Sequence, residues 1–85
     1  MPVIIHNRSK LYSGEQIGTV IKARRQTLGL TQQDLADRLG CSQRWIWELE
    51  QGKESIYLRR LLRLCREMDI KLLAELDIEV GDNDG

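Results

Sequence analysis

The apolar positions of this chain fall at helical spacing over most of its length and then change to strict alternation. Ile17, Val20, Ile21 and Leu28 form one stripe, and Ser13 followed by Gln16 has the spacing of a capping box, so the pattern predicts a first helix over 14–28 that Gly29 ends. Thr31 is a good N-cap for a second helix over 32–39. Gly40 then permits a sharp turn, and Ser42 caps a third helix over 43–51 that carries Ile46 and Leu49 and stops at Gly52. A fourth, over 56–68, is marked by Leu58, Leu61, Leu62, Cys65 and Met68, with Arg59, Arg60, Arg63 and Arg66 mostly on its outer side. Beyond it Ile70, Leu72, Ala74, Leu76, Ile78 and Val80 alternate with Lys71, Leu73, Glu75, Asp77 and Glu79, the pattern of a strand with one buried face.

That strand needs a partner, because a lone strand leaves its backbone groups unpaired. The chain offers one other candidate, the β-branched run Val3-Ile4-Ile5 reaching to His6. Pairing with a second copy is the simplest solution, and Ile70, Leu72, Ala74, Leu76 and Ile78 read as a dimerisation strand. The chain then divides into an N-terminal arm or short strand (1–13), a helical domain (14–69), the strand (70–80) and a flexible acidic tail (81–85).

With 85 residues there is room for one small core, and such a chain gains by leaning on a partner. A hydrophobic share of 41% and a charged share of 31% suit a soluble globular domain, and no apolar run approaches membrane length. The N-terminus lacks the pattern of a secretory signal, so the expected location is the cytoplasm. Cys41 and Cys65 sit among apolar neighbours without the close Cys/His pairs that zinc needs, and read as reduced core thiols; His6 is a lone histidine suited to surface or strand packing. No nucleophile and base set, metal cluster or phosphate loop appears, so neither an enzyme nor a cofactor is expected.

The chemistry concentrates in residues 31–52, two short helical patterns joined through Gly40, with Ala36 small where the helices must touch. This is a helix-turn-helix, and it points to DNA. Through Leu30-Thr31-Gln32, Leu35-Ala36, Leu39-Gly40, Ile46, Leu49, Glu50 and Gly52, residues 14–69 resemble the XRE (Cro/cI-type) helix-turn-helix transcriptional regulators. The implied fold is mainly α: a four-helix, lambda-repressor-like domain, here with a C-terminal β-strand that pairs across a homodimer. A formal net charge of zero fits such a partner once it is divided along the chain. The five acids after Lys71 give that segment −5, whereas residues 1–71 hold all 13 Lys and Arg against eight acids, +5.

In this family the N-terminal end of the third helix enters the major groove, so the resemblance implies base reading by Ser42, Gln43, Arg44 and, one turn on, Glu48. Gln43 can pair with N6 and N7 of adenine, and Arg44 with O6 and N7 of guanine. Glu48 would accept from cytosine or restrain Arg44. Thr31 and Gln32, at the start of the second helix, match the phosphate-holding position. Lys22, Arg24, Lys53 and Arg59 or Arg60 are further phosphate candidates. Arg25 and Glu50 stand where the family places a partly buried ion pair between the first and third helices. Trp45 and Trp47 depart from the small or polar residues usual there: Trp47 would lie on the sugar-phosphate edge or a thymine methyl, or pack on protein, and Trp45 would be partly buried.

A strand in place of a fifth helix is similar to antitoxins of the HipB type. That resemblance implies a repressor of its own operon that binds double-stranded operator DNA as a homodimer, with a HipA-type kinase toxin as a further partner. The alternatives are a stand-alone phage-type repressor and an interaction module that chiefly neutralises a toxin.

Overall fold

The computed structural model describes residues 3–80, with side chains from 7 to 77. Its elements are β1 (Val3–Lys10), α1 (Gly14–Thr27), α2 (Gln32–Leu39), α3 (Gln43–Glu50), α4 (Ile56–Glu67) and β2 (Leu73–Val80). The four helices lie where periodicity and caps put them, α1, α3 and α4 each ending one residue early. None is long and apolar enough to cross a membrane.

Local chemistry explains the boundaries. Ser13 and Gln16 form the capping box of α1, and Thr31 and Asp34 form a second on α2, with Thr31 N donating to Asp34 Oδ2 at 2.9 Å and Asp34 N to Thr31 Oγ1 at 3.0 Å. The bond from the Thr31 backbone N–H, and after it the Thr31 hydroxyl, hold the Asp34 carboxyl below its usual range. Gly40 ends α2 in the left-handed region at φ 69°, where a side chain would be strained, and this turns the chain into α3.

The core is small. Ala36 and Ile46 are fully buried where α2 meets α3, and Leu62 and Cys65 bury one side of α4. Gly18 lets α1 lie against the end of α3, since a Cβ there would collide with the carbonyl oxygens of Leu49 and Glu50. Two sequence expectations of burial fail. Leu28 caps α1 from the surface, and Leu61 and Met68 of the fourth-helix stripe are exposed. Cys65 is a buried free thiol, whereas Cys41 is only half-buried.

The largest departure concerns the C-terminal strand. β2 pairs with β1 of the same chain, antiparallel, in a register from Val3↔Val80 to Lys10↔Leu73. It begins at Leu73, so Ile70 and Leu72 precede it; α4 closes through Asp69, at φ 54°, with Ile70 N bonded to Cys65 O at 2.7 Å. From Leu72 on the predicted alternation survives: Leu72, Ala74 and Leu76 are half-buried, and Lys71, Leu73, Glu75 and Asp77 exposed, whereas Ile70, expected on the buried face, is exposed. The polar half of the pattern favours in-chain pairing. Register places Arg8 opposite Glu75 and His6 opposite Asp77, and the Arg8–Glu75 pair closes at 3.3 Å. The expected arm or short strand is thus a strand over Val3–Lys10. The side chains of His6 and Ile78 and the acidic segment 81–85 lie outside the described residues.

Candidate nucleic-acid interface

The helix-turn-helix brings the N-termini of α2 and α3 together, and a chain of hydrogen bonds joins them to the interior. Arg25 on α1 donates from Nε to Glu50 Oε2 at 2.7 Å and from Nη2 to Glu50 Oε1 at 3.0 Å. Its Nη1 donates to Leu30 O at 2.7 Å, fixing the loop that leads into α2. The side chains are 10% and 1% exposed, so the expected ion pair is present and more buried than the resemblance implied. The Arg25 bonds pull the Glu50 carboxyl below its ordinary range against the opposing cost of burial, helped by Gln32 and by the nearby charge of Lys22; the Arg25 guanidinium is raised in turn.

Gln32 extends the network outward. Its Nε2 donates to Glu50 Oε1 at 3.1 Å, and its Oε1 accepts from Gln43 Nε2 at 2.6 Å. One glutamine therefore links the buried carboxylate to the exposed first turn of α3. Sequence reasoning placed Gln32 and Gln43 on DNA separately and missed this coupling. The available signal was an amide at the first position of α2 together with an acid at the end of α3.

Ser42, Gln43 and Arg44 stand exposed in that first turn, with Ser42 Oγ accepting from Trp45 N at 3.1 Å as the cap. Glu48, one turn on, accepts from Arg44 Nε at 3.2 Å and from Lys53 Nζ at 3.3 Å. Its charge is answered twice. Trp47 and Trp45 are each about half exposed; Trp45 borders a groove with Ile17, Leu49 and Leu58.

The remaining basic candidates are dispersed. Lys22 stays exposed near the Glu50 network. Arg24 turns instead toward the sheet, donating to Asp77 O at 3.3 Å. Arg59 leans on Glu54 at 3.7 Å, and Glu54 also accepts from the N-terminal amide of α1, Gly14 N, at 2.7 Å.

Residues 16–76 match the helix-turn-helix domain family. A protein of Methanothermobacter thermautotrophicus, described as an uncharacterized HTH-type transcriptional regulator, is 37% identical over 67 residues, which cover 79% of this chain and 94% of that protein. No solved structure matches the chain. The paired N-termini of α2 and α3, Ala36 and Ile46 at their crossing, and the match over 16–76 converge: this chain belongs to the helix-turn-helix domain family.

Proposed function

We propose that this chain is a sequence-specific transcriptional repressor that sets the first turn of α3 into the major groove of an operator and acts as a homodimer. The observation that carries the reading is the relay from buried Glu50 through Gln32 to Gln43. A base-reading side chain discriminates only if its position is fixed before contact, and this relay fixes Gln43 from the core outward. Ser42, Gln43 and Arg44 read bases, Trp47 borders them on the groove edge, and Glu48 aims Arg44. Thr31 and Gln32 hold a phosphate at the N-terminus of α2, with Lys22 and Lys53 beside it. Arg24 is the poorest of the phosphate candidates because of its bond to β2. Repression follows from occupancy, since a dimer over a promoter excludes polymerase without chemistry.

A HipA-type toxin partner loses its structural support. The HipB-type reading leaned on a strand paired across the dimer, and β2 is paired in its own chain.

The test is site selection from random duplex DNA, followed by binding titrations. A two-fold sequence with half-site centres about 34 Å apart is expected. Arg44→Ala should relax one position of each half-site by about 1–3 kcal/mol, and Gln32→Ala, which removes the link that holds Gln43, should relax the position Gln43 reads as well as weaken all sites. Failure to enrich any sequence refutes the proposal.

A further inference from the structure

The outer face of α4 carries apolar side chains that the chain itself leaves uncovered. Tyr57 is 79% exposed, Ile56 68%, Met68 64% and Leu64 56%. Together with Leu61 they line a shallow groove or its continuation, which also includes Arg60. Leu58, Leu62 and Cys65 form the inward stripe of the same helix, and at 3.6 residues per turn the outward stripe lies about 100° around from it. Contiguous apolar surface of this kind marks an interaction site in a soluble protein.

We infer that this face is the seam of the homodimer, with α4 packed antiparallel against α4 of a second copy. Tyr57, Leu61, Leu64 and Met68 are spaced four, three and four residues apart, the spacing of a helix-packing seam. That spacing reads the same in both directions. A two-fold axis between Leu61 and Leu64 therefore sets Tyr57 against Met68 of the partner subunit and Leu61 against Leu64 of the partner subunit, the self-complementarity that an isologous contact requires.

Charge agrees with the same arrangement. Arg60 and Glu67 are seven residues apart on one flank of the stripe, and reversal of the second helix brings Arg60 alongside Glu67 of the partner subunit. Among the described residues, neither forms a salt bridge within the chain. Size agrees too. The apolar residues buried within the described chain are Ala36, Ile46, Leu62 and Cys65 alone, a thin core that a partner would extend. Tyr57 offers most of the roughly 150–250 Å² that one aromatic buries, and with Leu61, Leu64 and Met68 it supplies the centre of an interface whose standard size is about 800 Å² per partner.

The inference rests on the proposed repressor reading only in requiring a dimer, so its test omits DNA. The full chain is examined by sedimentation velocity across a dilution series, with circular dichroism as the folding control. The wild type should dissociate from dimer to monomer on dilution, and Leu64→Glu should be monomeric with unchanged helix content. Arg60→Glu and Glu67→Arg should each weaken the dimer about tenfold, through loss of two exposed ion pairs and gain of two repulsions. Combined, they should return it to wild-type strength. This exchange keeps the inference testable if Leu64→Glu fails to fold.

A wild type that remains monomeric means that something else covers the stripe, and it overturns the seam. A Leu64→Glu dimer of wild-type strength also overturns it, as do charge reversals whose weakening simply adds. A monomer that still selects a DNA sequence overturns the seam and leaves base reading by α3 intact; a dimer lost in Leu64→Glu, from a chain that selects no DNA, upholds the seam and overturns the DNA reading.

Discussion

Glu50→Ala should destabilise the fold before it changes any base preference. Glu50 is 1% exposed and accepts from Arg25 at 2.7 and 3.0 Å and from Gln32 at 3.1 Å. Truncation leaves a buried guanidinium without its counter-charge, which costs about 3–5 kcal/mol. Arg25 keeps its bond to Leu30 O, so the lower end applies. For a domain of this size about 3 kcal/mol lowers the melting temperature by roughly 12–24 °C. Replacing both partners, as Arg25→Met with Glu50→Leu, removes the burial cost along with the attraction and should be much milder than either truncation.

The pH dependence has a definite sign. The folded pKa of Glu50 is depressed, so its contribution is complete above the pKa of the unfolded chain and is lost as pH falls through the lower folded value. Glu50→Gln should flatten that acid limb. Both tryptophans lie on α3, so intrinsic fluorescence during urea unfolding reads the change directly. A Glu50→Ala protein with wild-type melting temperature and altered operator preference would refute the reasoning.

Gly18→Ala should destabilise, although alanine normally gains about 1 kcal/mol over glycine within a helix. The new methyl meets Leu49 O and, at 2.9 Å, Glu50 O, and overpacking of this kind costs about 1–3 kcal/mol; a stabilised variant in urea unfolding would show that α1 can move away freely. Deleting residues 1–10 removes the partner of β2 and should raise hydrogen exchange across 73–80 while leaving the α4 dimer in sedimentation. Protected amides there would mean that β2 finds another partner. Lys22→Ala should reduce the slope of log affinity against log salt by about 0.9 if Lys22 neutralises one phosphate, and an unchanged slope in binding titrations removes it from the interface.

The helices were legible because their signals are local. Ser13, Thr31 and Ser42 cap within one turn, and Gly40 takes the φ of 69° that its place in the pattern required. Ala36 and Ile46 were legible for a related reason, because the crossing of two short helices admits few residue types, and both are fully buried. The ion pair of Arg25 and Glu50 came from resemblance, and the relay through Gln32 came from neither route. Its bonds join residues 18 and 11 positions apart, and whether an amide at the start of a helix faces outward or back toward a buried carboxylate depends on how the helices pack. Leu61 and Met68, which periodicity groups with the buried side of α4, are exposed for a similar reason. Apolar spacing shows that a face will be covered, and it is silent on whether the cover belongs to the same chain.

The strand shows where the missing information lay. Its apolar alternation predicted one buried face, and that face exists, yet apolar residues alone fit β1 and a second β2 equally well. The polar half of the alternation breaks the tie. A second β2 would align Glu75, Asp77 and Glu79 with acids of their own kind, whereas β1 sets Arg8 opposite Glu75, His6 opposite Asp77 and the uncharged Ile4 opposite Glu79. Charge repulsion therefore disfavours the cross-dimer pairing that hydrophobicity allowed. The same exchange clarifies how a neutral chain can face a polyanion. Once Arg8 and Lys10 are assigned to the sheet with the acids of β2, residues 11–71 retain 11 Lys and Arg against eight acids. The acids of β2 are held in an ordered sheet beside β1, where Arg8 answers Glu75 at 3.3 Å, and the helical body keeps a net positive charge for phosphate.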